Sequence, residues 1–196
     1  MKKLLLILLI WVTTIFLWSY LDSIYLADKL SEKSQRYLSK GDTTMANSLI
    51  YKAIEKNPNE PNYHRIKAKI LLVKSVSETQ ESKELLKENI LRELKTAEEE
   101  NPNNLVTIRN IIPLYYFLAL KDASVLNVPF DIDETYLPIT RDYYQWVKSK
   151  YSHDAGVVVA LAKYEKKLGL SEDYEKSVEI IKKIRPDLLD WYESFR

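Results

Sequence analysis

Residues 37–58 read YLSKGDTTMANSLIYKAIEKNP, and within that string Tyr37, Gly41, Ala46, Ile50, Ala53 and Pro58 follow one another at intervals of 4, 5, 4, 3 and 5. Intervals of three and four place side chains on one face of a helix, so the segment from Gly41 to Pro58 reads as an amphipathic helix. Glycine opens a turn before it, small alanines let a neighbouring helix come close, and proline stops the helix at its end. The close of the pattern returns as Ile90, Leu94, Ala97 and Pro102, again spaced 4, 3 and 5, inside Glu-Glu-Asn-Pro-Asn, where the first copy has Glu-Lys-Asn-Pro-Asn. A third copy near the C-terminus carries Leu161, Ala162, Gly169, Tyr174, Val178, Ile181 and Pro186, with Ile181 at the small-residue position.

Composition agrees with a helical reading. The chain has 196 residues with only three glycines and seven prolines, too few for the turn-dense grammar of a sandwich or barrel, and the expected class is all-α. Recurrence of a helix–turn–helix unit with this Gly/Ala/Pro pattern resembles the tetratricopeptide repeat. That resemblance implies an α-solenoid of about four helical hairpins: residues 27–60, 61–104, 105–154 and 155–188, with a closing segment ending at Phe195. The second unit carries about ten extra residues around Ser75 to Lys83, expected as a long loop or an extension of its second helix. In the third unit Asp122 to Pro138 reads as an irregular linker, helical periodicity resumes from Ile139 to Lys150, and Pro113 predicts a kink in the preceding helix.

Upstream, Lys2 and Lys3 precede an apolar run from Leu4 to Leu21, interrupted only by Thr13, Thr14 and Ser19. Eighteen helical residues span about 27 Å, near the roughly 30 Å of a hydrocarbon core. Threonine and serine hydroxyls can bond back to helix carbonyls, and Trp18 and Tyr20 suit the far interface. The boundary after Ser19 has large residues where a signal-peptide cleavage site needs small ones, which favours an uncleaved anchor. The division expected is a transmembrane signal-anchor at 1–22 and a helical repeat domain at 23–196. The lysines near the start predict a cytoplasmic N-terminus and an extracytoplasmic domain.

Charge excludes some functions. With 29 basic against 28 acidic residues there is no global field for nucleic acid, and no cysteine is present for a disulfide, a thiolate nucleophile or metal ligation. No Gly-rich phosphate loop or HExxH pattern can be written, and His64 and His153 stand alone; no cofactor, metal or catalytic residue is expected.

What remains is binding. In tetratricopeptide-like units the first helices line a concave groove, and the resemblance implies that positions 2, 5, 9 and 12 of each first helix face it. These are Asn62, Arg65, Lys69 and Leu72 in the second unit, Val106, Arg109, Pro113 and Tyr116 in the third, and Lys163 and Lys166 in the fourth. Arg65, Lys69, Arg109, Tyr116 and Lys163 together suit an acidic peptide, a terminal carboxylate or an anionic glycan, since guanidinium forks bind carboxylates in bidentate fashion. The expected role is a membrane-anchored scaffold that captures a protein or peptide partner. Two alternatives stand beside it: an accessory subunit of an envelope polysaccharide or secretion assembly, and an enzyme using Asp131, Asp133 or Glu134 in the 122–138 insertion. For Asp133, a helix cap is the competing reading.

Overall fold

The structure, a computed structural model, describes residues 2–122 and 131–188. Residues 123–130 of the 122–138 insertion and the closing segment at 189–196 therefore lie outside the described residues. The described chain is all-helical. Its elements are α1 (Lys2–Ser39), α2 (Thr43–Lys56), α3 (Pro61–Ser75), α4 (Gln80–Glu100), α5 (Leu105–Leu118), α6 (Tyr136–Tyr151), α7 (Ala155–Lys167) and α8 (Ser171–Ile184). The one extended feature among the described residues is an isolated antiparallel bridge between Leu120 and Ile132.

The expected punctuation is where the chain turns. Gly41 and Gly169 take φ of +81° and +71°, the left-handed region that glycine enters without steric penalty, and each separates two helices. Asp42, Asn104 and Asp154 cap α2, α5 and α7 by accepting the N–H of Met45, Thr107 and Val157 at 2.9, 3.1 and 2.9 Å. Pro61 opens α3, where its missing N–H would have no helical partner in any case. Asn57, Asn101 and Arg185, each preceding a proline, close α2, α4 and α8 in one shared conformation, with φ of −146°, −150° and −154°. Proline disfavours the helical region for the residue before it, so these dipeptides end three helices in the same way.

Some of these boundaries differ from expectation and others agree with it. No break falls at residue 22: the apolar segment and the first helix of the first hairpin are one helix of 38 residues, because nothing between Asp22 and Ala27 interrupts a helix. The added residues of the second unit take the second of the two expected forms, lengthening α4 to 21 residues after a short turn at 76–79. α6 starts at Tyr136 rather than Ile139 and holds Pro138 in its first turn, where the backbone N–H is free of intrahelical duty. α5 continues across Pro113 to Leu118.

α1 is long and apolar enough over its N-terminal part to cross a membrane, and none of the apolar window is buried by the rest of the chain. Thr13 Oγ1 donates to the carbonyls of Leu9 and Ile10, and Thr14 Oγ1 to that of Ile10, so these hydroxyls remain satisfied without water.

Beyond residue 22 the helices pack in a regular order. Each packs on the next in sequence, and the odd helices also touch one another, α1 on α3, α3 on α5 and α5 on α7. The core runs through three clusters. The first joins α1, α2 and α3 through Ala27, Ala46, Ile50, Ala53, Tyr63 and Ile66; the three alanines have no exposed surface, as close helix approach requires. The largest runs from α3 to α7 around Ile90, Leu94, Ile108, Ile112, Tyr144 and Leu161. A small one seals α8 on α7 through Val158, Ala162 and Ile181. Burying one such Ile or Leu side chain contributes about 1.5–3 kcal/mol.

Candidate functional site

Both α5 and α7 begin at a cleft lined by Leu105, Val106, Arg109, Asn110, Gly156 and Ala160. Asn104 and Asp154 cap these helices through the N–H groups of Thr107 and Val157, which leaves the N–H groups of the first turns without intrahelical partners. Two helix N-termini, each carrying partial positive charge, thus meet beside the Arg109 guanidinium. A Cβ added to Gly156 would lie 2.9 Å from Arg109 Nη2, so glycine is what lets the guanidinium lie across the start of α7. Arg109 is exposed and makes no ion pair among the described residues, Asp154 being engaged as a cap. Chemically, an exposed guanidinium beside two helix N-termini is an arrangement that can attract an anion, with the Asp154 carboxylate as its nearest acidic neighbour.

The other expected groove residues fall differently. Arg65 is half-buried, its Nε and Nη2 hydrogen-bonded to Asn62 Oδ1 at 3.0 and 2.6 Å, and burial lowers its pKa; it faces no carboxylate. Lys69 is exposed without an ion pair among the described residues, and Lys163 is exposed with its ammonium 5.6 Å from the Tyr164 ring centroid. Tyr116 does not face an open groove. It is 2% exposed, packed edge-on against Phe117 and tilted against Tyr164 at centroid distances of 5.1 and 5.0 Å, because its position on α5 turns into the α7 interface.

The acidic residues around 131–134 do not converge. Asp131 pairs with Lys121 at 2.7 Å, while the buried Asp133 pairs with Lys87 and accepts the Thr135 N–H at 3.0 Å, which is the expected cap at the start of α6. The two aspartates are thus held by different lysines, and Glu134 makes no ion pair among the described residues. No group of three or more metal-ligating side chains exists among the described residues.

Sequence reasoning missed two buried charge clusters. Between α3 and α4, His64 Nδ1 lies 2.7 Å from Glu93 Oε2 and its Nε2 lies 2.8 Å from the Pro58 carbonyl oxygen, while Lys67 Nζ lies 2.8 Å from Glu93 Oε1. An imidazole facing two acceptors satisfies both only with both nitrogens protonated. Burial opposes that charge, but the hydrogen bonds to Glu93 and Pro58 outweigh it and raise the His64 pKa. Burial likewise works to raise the Glu93 carboxyl, yet His64 and Lys67 hold it below its ordinary range. Between α6, α7 and α8, Lys148 Nζ lies 2.8 Å from the fully buried Glu165 and donates to the Asp173 carbonyl at 2.7 Å, and Ser177 Oγ donates to Glu165 at 2.6 Å. The signal was present: Glu93 sits inside the apolar stripe of Ile90, Leu94 and Ala97, and Glu165 follows Leu161 by one helical turn.

No protein-family model matches this sequence. A search of the curated proteins likewise gives no match.

Proposed function

We propose that the chain is a membrane-anchored scaffold of tetratricopeptide-like hairpins that holds a protein partner by an acidic segment or terminal carboxylate. Its observed packing, with odd helices in mutual contact and each hairpin laid on the next, supports a solenoid of four units whose first helices share one face. The observation that carries the reading is the Arg109 cleft. An unpaired guanidinium beside two helix N-termini attracts an anion from both helices, and the exposed Val106 offers an apolar contact next to it. Lys69 and Lys163 extend the positive charge along α3 and α7. In this reading the repeats lie outside the cytoplasmic membrane, tethered by residues 4–21, and the protein acts by positioning its partner at the membrane surface.

The test is photocrosslinking in cells with the photoreactive group at Val106, comparing the native chain with an Arg65→Glu/Arg109→Glu double variant. The expected result is a specific protein adduct that the double variant abolishes while its helicity and melting stay unchanged. Retention of the adduct in that variant would overturn the carboxylate receptor. Adducts with glycan alone would instead support service to a polysaccharide assembly.

A further inference from the structure

α4 and α6 flank α5, and the space between them is a second cleft about 120° round α5 from Arg109. Its floor is the stacked pair Tyr115 and Tyr143, with ring centroids 4.0 Å apart at 16°, and Trp146 continues the aromatic surface at 5.9 Å from Tyr143. Its walls are Lys95 and Glu98 from α4 and Ile139 and Asp142 from α6. Glu98 receives one hydrogen bond from the protein, from Tyr115 Oη to Oε1 at 2.8 Å, and no described cation lies within ion-pair distance of its carboxyl.

We propose that this cleft binds a cationic side chain, the guanidinium or ammonium of a basic peptide segment, against Glu98 and Asp142 with the aromatic surface beneath it. Three features point to that chemistry. Aromatic faces attract cations, and the Lys150 ammonium already sits 5.1 Å from the Trp146 ring centroid, so this ring accepts one. Among the lining side chains two carboxyls, Glu98 and Asp142, face one ammonium, Lys95, while Lys150 stands at the Trp146 end of the cleft. Burial, only partly offset by the Tyr115 hydrogen bond and the Lys95 charge and reinforced by Glu99, pushes the Glu98 carboxyl up to about 7. Near neutral pH that group therefore holds a proton part of the time, and an incoming cation would displace it.

Binding is then linked to pH. A ligand that prefers ionised Glu98 binds more tightly as pH rises from 6 to 8, while Lys95 competes for the same carboxyl. This site is separate from the Arg109 cleft and takes ligand of opposite charge, so either can fail without the other.

The experiment is fluorescence anisotropy of a labelled acetyl-tetra-arginine amide, titrated with the full chain in zwitterionic micelles at pH 6, 7 and 8. Expected are saturable binding that tightens several-fold across that range, about a tenfold loss in Glu98→Gln, and, at pH 8 where Glu98 is ionised, a gain in Lys95→Gln, which a merely misfolded variant could not produce. Glu99→Gln, on the neighbouring exposed carboxylate, is expected to bind like the native chain. Equal losses in Glu98→Gln and Glu99→Gln, absence of saturable binding, or no gain in Lys95→Gln would each overturn the proposal.

Discussion

Replacing Glu93 with alanine removes the one carboxylate that His64 and Lys67 share. Glu93 and His64 are 5% and 8% exposed, so the imidazolium left behind has no route to water without opening the α3–α4 interface. Lys67, with about a fifth of its side chain exposed, can swing outward. Breaking a buried ion pair by removing one partner costs about 3–5 kcal/mol. The lower end, about 3 kcal/mol, is expected here because one of the two stranded cations escapes and His64 can lose its proton. For a chain of this size that lowers Tm by about 6–12 °C. The assay is thermal melting by circular dichroism of the full chain in mild detergent, run from pH 4 to 9. In the native protein the His64 pKa is raised, so its contribution is complete below its ordinary value of 6.5 and fades as pH climbs through the folded value. Glu93 has a lowered pKa, so its share is complete above its ordinary 4.5 and fades as pH falls through the folded value. The pair therefore gives a plateau between about 4.5 and 6.5 that Glu93→Ala abolishes. A loss below about 1 kcal/mol with an unchanged pH profile would refute the assignment of a charged, buried cluster.

Two further substitutions separate backbone from side-chain effects. Gly41→Ala places a side chain at φ +81° in open space, so the whole loss, about 1 kcal/mol, is backbone strain and reads out as a lower Tm with unchanged helicity. Gly156→Ala instead pushes a Cβ against the flexible end of Arg109, and the expected result is melting within roughly 0.5 kcal/mol of native alongside weaker crosslinking from Val106; an unchanged adduct would remove Arg109 placement from the argument.

The helices and their ends were legible because local chemistry decides them. Gly41 and Gly169 act within a few residues of themselves, and the unit bounds at 60/61, 104/105 and 154/155, taken from the repeat spacing, coincide with helix starts whose Pro61, Asn104 and Asp154 act just as locally. Pro138 misled, since a proline three residues into a helix is as acceptable as one before it, and only the packing of Tyr136 and Thr140 tells the two apart. The Tyr116 placement failed for a related reason: helical spacing fixes relative faces, but which neighbour closes over a face is a tertiary fact, and α7 closes over that one. The charge clusters lie further from local reach. His64 and Glu93 are 29 residues apart and Lys148 and Asp173 are 25 apart, so only the odd presence of Glu93 and Glu165 in apolar stripes hinted at a partner.

Because α1 runs unbroken from Lys2 to Ser39, and Ser23 Oγ donates to the Lys56 carbonyl at 3.1 Å where α2 returns beside it, the proposed anchor is an axle rather than a leash. A rotation of its apolar half is a rotation of everything mounted above it. From Asp22 to Ser39 the shaft rises about 27 Å, which sets the height at which the first hairpin can work. With Leu4 to Leu21 in a bilayer, as proposed, whatever grips one flank of that segment would set the heading of the Arg109 cleft, so compass direction, and not only distance, would be inherited from it.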